Sequence, residues 1–162
     1  MDWAGQRVCV IGLGRSGVAA AELLLHRGAM VTAVDANASP ALQDAAEALN
    51  AKGAECRLGA KRLPDAMDLA VVSPGVPLAS SMVAGLRERS VPVWSELELG
   101  WQFTECPVIA ITGTNGKTTT TELVASLLGQ ARRQTVAAGN IGTPLCAVTD
   151  QTRRLDAVTL EV

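Results

Sequence analysis

One unit occurs twice in this chain and limits its folds more than any other feature: a short apolar run, a glycine-rich turn, then a stretch of helix formers. The first copy runs from Arg7–Ile11 through Gly12-Leu13-Gly14-Arg15-Ser16-Gly17 into a helix expected over residues 18–27. The second runs from Val108-Ile109-Ala110-Ile111 through Thr112-Gly113-Thr114-Asn115-Gly116-Lys117-Thr118-Thr119 into a helix over residues 117–128. Strands that read as continuous apolar runs are buried on both faces, and helices that follow them return the chain through right-handed crossovers. Each unit therefore calls for a mainly parallel sheet covered by helices.

The rest of the chain keeps the alternation. Strands are expected over 30–34, Glu55–Leu58, Leu69–Val72, 91–94 and 134–138, and helices over 39–52, 80–89 and 95–105, the last broken by Pro107. The fold class is α/β. Residues 1–94 form a Rossmann-like parallel-sheet domain, 95–107 a linker helix, and 108–162 the start of a P-loop α/β ATPase domain. The final run, residues 156–162, reads as a buried strand. A domain seldom stops inside its own sheet, so the chain is expected to be the front portion of a longer protein.

Composition removes several function classes. Fourteen Lys and Arg against sixteen Asp and Glu leave a net charge of −2, whereas a generic nucleic-acid binder is basic. Aromatic residues are 2 % of the chain, too few for base-stacking platforms. No apolar run approaches the roughly 18–20 residues of a membrane span. Cys9, Cys56, Cys106 and Cys146 are widely spaced and His26 is the single histidine, which argues against a zinc site or a disulfide framework and for reduced thiols in a cytosolic protein.

The first turn matches GxGxxG in the required setting, after a strand and at the start of a helix. Its glycines permit a tight turn, close approach of backbone to a pyrophosphate and close helix–strand packing, and the helix N-terminus offers free N–H groups with partial positive charge. Asp35 ends the next strand, where an acidic group meets a ribose hydroxyl or a base edge. These residues alone indicate a diphosphate-bearing nucleotide, with NAD the default.

The second turn is the more specific. Gly116 lets the backbone wrap a phosphate, Lys117 reaches β- and γ-phosphate oxygens, and the Thr118 hydroxyl suits magnesium. The spacing departs from the general Walker loop: two residues separate Gly113 from Gly116 where four are usual, and Ile111 stands at the position of the first glycine.

Residues 112–120, TGTNGKTTT, closely resemble the ATP loop of the Mur ligases and of their relative folylpolyglutamate synthase, whose shortened spacing they share. GLGRSG with Asp35, Val72-Ser73-Pro74-Gly75-Val76-Pro77, and Ala138-Gly139-Asn140-Ile141-Gly142-Thr143-Pro144 are similar to the branch that adds D-glutamate to UDP-N-acetylmuramoyl-L-alanine. The resemblance implies an ATP-dependent amide ligase of peptidoglycan precursor synthesis, cytoplasmic, monomeric at full length, using ATP and Mg2+ and no nucleic acid or membrane. It implies ATP contacts from Gly113, Thr114, Asn115, Gly116, Lys117, Thr118 and Thr119, with Lys117 catalytic and Thr118 and Glu161 on the metal. It places the UDP-sugar substrate on Gly14, Arg15, Ser16, Asp35, Ser73, Gly75 and Asn140, with Asp35 near the uracil and Asn140 reaching toward the substrate. The D-glutamate site lies outside this chain, which is expected to be inactive as a ligase by itself. Another Mur ligase, folylpolyglutamate synthase and a NAD-binding oxidoreductase domain are the alternatives. Trp94, Trp101 and Phe103 are expected to pack between domains.

Overall fold

The computed structural model describes residues 2–77 and 79–162. It divides into two compact units, Met1–Leu99 and Gly100–Val162.

The first unit holds five parallel strands, β1 (Arg7–Ile11), β2 (Met30–Asp35), β3 (Glu55–Leu58), β4 (Leu69–Val72) and β5 (Val93–Ser95), in the order β3-β2-β1-β4-β5. Helices α1 (Arg15–His26), α2 (Pro40–Ala51) and α3 (Ser81–Glu88) connect them. The apolar runs are buried as their composition demands: Cys9, Val10, Ile11 and Ala70 are inaccessible or nearly so. Strand order reverses between β1 and β4. Loops leaving the carboxyl ends of two such strands diverge and leave a crevice, the usual ligand position in an open α/β sheet.

Several boundaries differ from the sequence reading. Helix α1 begins at Arg15, three residues early, so the end of the glycine turn is its first helical turn. Gly17 permits this because it brings no side chain into the strand–helix contact. The helix expected over 95–105 is shorter: α4 spans Glu96–Trp101, and turns follow in which the Thr104 hydroxyl donates to the Gly100 carbonyl at 2.9 Å. Trp94 packs inside the first unit, edge-to-face on Trp3 with ring centroids 5.9 Å apart. Trp101 is 55 % exposed rather than packed.

The second unit has three parallel strands, β6 (Val108–Ile111), β7 (Thr135–Gly139) and β8 (Ala157–Glu161), in the order β6-β8-β7, with α5 (Lys117–Gln130) between β6 and β7. Two short 3-10 helices, Leu145–Ala147 and Thr149–Arg154, precede β8 and were not anticipated. Central β8 is buried throughout. The expectation that β6 is buried fails. It is an edge strand with Ile109 38 % exposed, and α5 leaves Leu123 and Leu127 more than half exposed.

No disulfide links the cysteines, and burial pushes the Cys9 thiol up to about 12. At the amino ends of β1 and β4, the Arg7 guanidinium grips Asp68 with two bonds, Nη2 to Oδ1 at 2.6 Å and Nε to Oδ2 at 3.1 Å. Those bonds hold the Asp68 carboxyl at about 2, below its usual 3.8. A carboxyl depressed in the folded state contributes stability that is present above its unfolded value and lost as pH falls through its folded one. Denaturant titrations between pH 4 and pH 2 should show wild-type stability declining more steeply than that of Asp68→Asn. Both groups are well exposed, so the difference should be small and should shrink with added salt. Parallel curves for the two proteins across that window would refute this assignment.

Candidate functional site

Each unit carries its own site. In the first, a cavity of about 340 Å³ opens at the reversal point of the sheet. Six residues singled out from the sequence, Gly14, Arg15, Ser16, Asp35, Ser73 and Gly75, line it together. Backbone topology accounts for this. The turns after β1, β2 and β4 all leave the same edge of neighbouring strands, so residues dozens of positions apart meet there.

The glycines divide into two kinds. A Cβ on Gly17 would lie 1.7 Å from the Gly12 carbonyl oxygen and 2.8 Å from Ser73 Oγ. A Cβ on Gly12, whose φ is +89°, would meet Val76 Cγ2 at 2.6 Å. Both positions are close-packed. Gly14 has nothing within 4 Å of such an atom and faces the cavity, so its missing side chain leaves room for a ligand. Gly14 also caps α1 without a side-chain hydrogen bond. The positive end of the helix dipole lies at the cavity, and Arg15 adds positive charge beside it.

Asp35 and Ser73 are turned onto the backbone. Asp35 Oδ2 accepts from the Leu13 N–H at 2.8 Å, and Oδ1 accepts from the Asn37 N–H at 2.8 Å. The buried Ser73 hydroxyl donates to the Gly12 carbonyl at 2.8 Å. Asn37, Ser80 and Met82 also line the cavity and were missed. Ser80 left a local signal: it caps α3, its hydroxyl accepting from the Val83 N–H at 3.4 Å. Nothing local marks Met82.

In the second unit, Gly116 takes a left-handed φ of +74° and caps α5, turning the chain so that the helix starts at Lys117. Residues 112–116 are exposed. Lys117 Nζ donates to the Gly113 carbonyl at 2.9 Å, closing the loop on itself. The Thr118 hydroxyl donates to Glu161 Oε2 at 2.7 Å. Glu161 ends central β8, paired in register with both Ile111 and Gly139, and is only 6 % exposed. Gly139 is required there, because a Cβ on it would lie 2.2 Å from the Glu161 carbonyl oxygen. Asn140 follows, exposed, its N–H donating to that same carbonyl at 3.2 Å. It belongs to this unit, unlike the other residues assigned to the UDP substrate.

A magnesium ion fits this donor set. Thr118 and Glu161 offer hard oxygen ligands from one point, and a carboxylate this buried gains from a cation beside it. Among the described residues no group of three or more His, Cys, Asp or Glu side chains could hold a metal. Magnesium in nucleotide sites is commonly held by one or two protein oxygens together with substrate phosphates.

Comparison with known proteins agrees with both halves. Residues 6–95 match the family model of the Mur ligase MurD-like N-terminal domain, and residues 111–162 match that of the Mur ligase middle domain. The chain is 48 % identical over 147 residues to the UDP-N-acetylmuramoylalanine--D-glutamate ligase of Frankia casuarinae, covering 90 % of this chain and 31 % of the relative. It is 41 % identical over 165 residues to the ligase of the same name from Pelotomaculum thermopropionicum, covering 99 % and 36 %. The chain thus spans about a third of the length of the curated relatives it matches. In fold it is similar to the UDP-N-acetylmuramate:L-alanyl-gamma-D-glutamyl-meso-diaminopimelate ligase of Neisseria meningitides, with a TM-score of 0.59, 20 % identity, and coverage of 98 % of this chain and 52 % of that one. The UDP-N-acetylmuramate-alanine ligase MurC of Thermotoga maritima shares the fold at a TM-score of 0.52 and 23 % identity, over 80 % of this chain and 30 % of that one.

Proposed function

The chain belongs to the Mur ligase family, and on that premise we propose that it is the nucleotide-binding portion of an ATP-dependent ligase that adds D-glutamate to UDP-N-acetylmuramoyl-L-alanine. In this reading residues 1–94 hold the UDP moiety and residues 108–162 begin the ATPase domain, with 95–107 between them. The protein works in the cytoplasm as a monomer. No helix among the described residues is long and apolar enough to cross a membrane.

The observation that carries the reading is the Thr118–Glu161 hydrogen bond at 2.7 Å, which joins the phosphate loop to the end of the central strand 43 residues away. A glycine turn that merely packed a helix would have no use for a buried carboxylate aimed at its first threonine.

ATP, bound with Mg2+, supplies the phosphoryl group that turns the substrate carboxylate into an acyl phosphate, from which the D-glutamate amine displaces phosphate as the amide forms. The chain's own residues prepare that chemistry by alignment and charge neutralisation. Backbone N–H groups from Thr114 to Thr118, with Gly113 and Thr119 on either side of them, would cradle the phosphates. Lys117 exchanges the Gly113 carbonyl for β- and γ-phosphate oxygens. Thr118 and Glu161 hold the metal. Gly14, Arg15 and Ser16 face the diphosphate, Asp35 lies toward the uracil, and the loop of Ser73 and Gly75 closes over the nucleotide. Asn140 serves the substrate.

Calorimetric titration of the chain with UDP-N-acetylmuramoyl-L-alanine and with NADH tests the first site. Binding of the UDP-sugar peptide, with NADH at least about a hundredfold weaker, is expected, because the cavity is here assigned to a uridine diphosphate rather than a dinucleotide. The reverse preference would favour the oxidoreductase alternative and sink the proposal.

A further inference from the structure

The Gly12 carbonyl and the Leu13 N–H belong to one peptide unit, and each end of it is held by a side chain from a different strand end. Ser73 Oγ, from the turn after β4, donates to the carbonyl at 2.8 Å. Asp35 Oδ2, at the end of β2, accepts from the N–H at 2.8 Å. The peptide is planar and rigid, so two bonds on opposite ends fix its rotation about the chain axis. Such fixing is needed here. Gly12 has a φ of +89° and carries no Cβ, so sterics alone leave the following peptide freer to turn over than in any other residue type. A Cβ on Gly17 would stand 1.7 Å from this carbonyl oxygen, so the oxygen is packed against the Gly17 backbone as well as held by Ser73 Oγ.

We propose that Ser73 and Asp35 are positioning residues that lock the Gly12–Leu13 peptide with its carbonyl turned away from the anion, so that the diphosphate end of the cavity stays purely donating. A flipped peptide would bring a carbonyl dipole toward phosphate oxygens, opposing the N–H groups at the start of α1. The assignment rests on the nucleotide reading given above and adds to it a role through the backbone. Ser73 acts on the diphosphate without touching it.

Amide hydrogen exchange of the chain and titration with UDP and with uridine test this together. In wild type the Leu13 amide should exchange slowly. In Ser73→Ala and in Asp35→Asn it should exchange about tenfold faster or more, with the amides of β1 and β4 still protected as a sign that the sheet is intact. Ser73→Ala should weaken UDP about tenfold, the loss expected for one ordered hydrogen bond, and change uridine affinity less than about twofold. Equal losses for UDP and uridine would mean that Ser73 meets the nucleoside directly and would overturn the positioning role, as would unchanged Leu13 exchange in both variants. Failure of wild type to bind UDP would remove the nucleotide reading by itself, while Leu13 exchange would still decide whether the peptide is locked.

Discussion

Lys117→Ala in the full-length protein is expected to cut ATP-dependent phosphate release by about a thousandfold, roughly 4 kcal/mol of transition-state stabilisation. The transferring phosphoryl group carries its charge on equatorial oxygens, and a positioned ammonium meets that charge without having to reorganise. In the structure Lys117 Nζ rests on the Gly113 carbonyl at 2.9 Å, so the side chain already lies along the loop and needs only to trade one acceptor for another. Lys117→Arg should recover little, because a forked guanidinium does not reproduce a compact point charge in so short a loop. Single-turnover phosphate release with the UDP-sugar substrate and D-glutamate reads the effect. Binding of the UDP-sugar by the first unit should be unaltered. A loss of less than tenfold would remove Lys117 from the catalytic role.

Gly17→Ala should destabilise the first unit by about 3 kcal/mol, at the upper end of overpacking costs. The new Cβ would stand 1.7 Å from a backbone oxygen, and that oxygen belongs to the peptide held by Ser73 and Asp35, so it cannot swing aside. Gly14→Ala is the informative partner. Nothing lies within 4 Å of its Cβ and its φ of −67° suits any residue, so stability should move by less than about 0.5 kcal/mol. Its methyl would instead occupy the cavity and weaken UDP binding. Urea denaturation and UDP titration of both variants separate the two roles. If Gly14→Ala proved the more destabilising, the division of the glycines into packing and ligand-facing positions would be wrong.

The motif announced that division in kind but not the atoms that enforce it. GxGxxG announces a turn between strand and helix, and residues 12–17 supply one. Its glycines serve the turn, the approach to a pyrophosphate and the helix–strand packing, yet Val76 and Ser73, which crowd Gly12, lie some sixty residues further on, and Gly17 is closed chiefly by the Gly12 carbonyl. Asp35 shows the same gap. Its place at the end of β2 could be read from the apolar run before it, but its carboxylate could not be foreseen on the Leu13 N–H. The second loop was more fully readable. A lysine and a threonine directly after Gly116 leave few other uses for their side chains. The misreading of β6 as buried has a comparable origin: Val108-Ile109-Ala110-Ile111 is apolar enough for a central strand, and only the order β6-β8-β7 puts it at an edge.

By itself the sequence determined the alternation of strands and helices, the two phosphate-type turns and the residues that could serve them. These are local matters, set by apolar periodicity, glycine positions and side-chain chemistry over a few consecutive residues. The tertiary structure alone decided that Ser73 holds Gly12, and it turned the pairing of Thr118 with Glu161, which only the family resemblance had implied, into a direct hydrogen bond. Those pairs are 61 and 43 residues apart, and they form because β4 lies beside β1 and β8 beside β6. Strand order is settled by how whole helices and sheets bury their apolar faces, and no short window of residues records it.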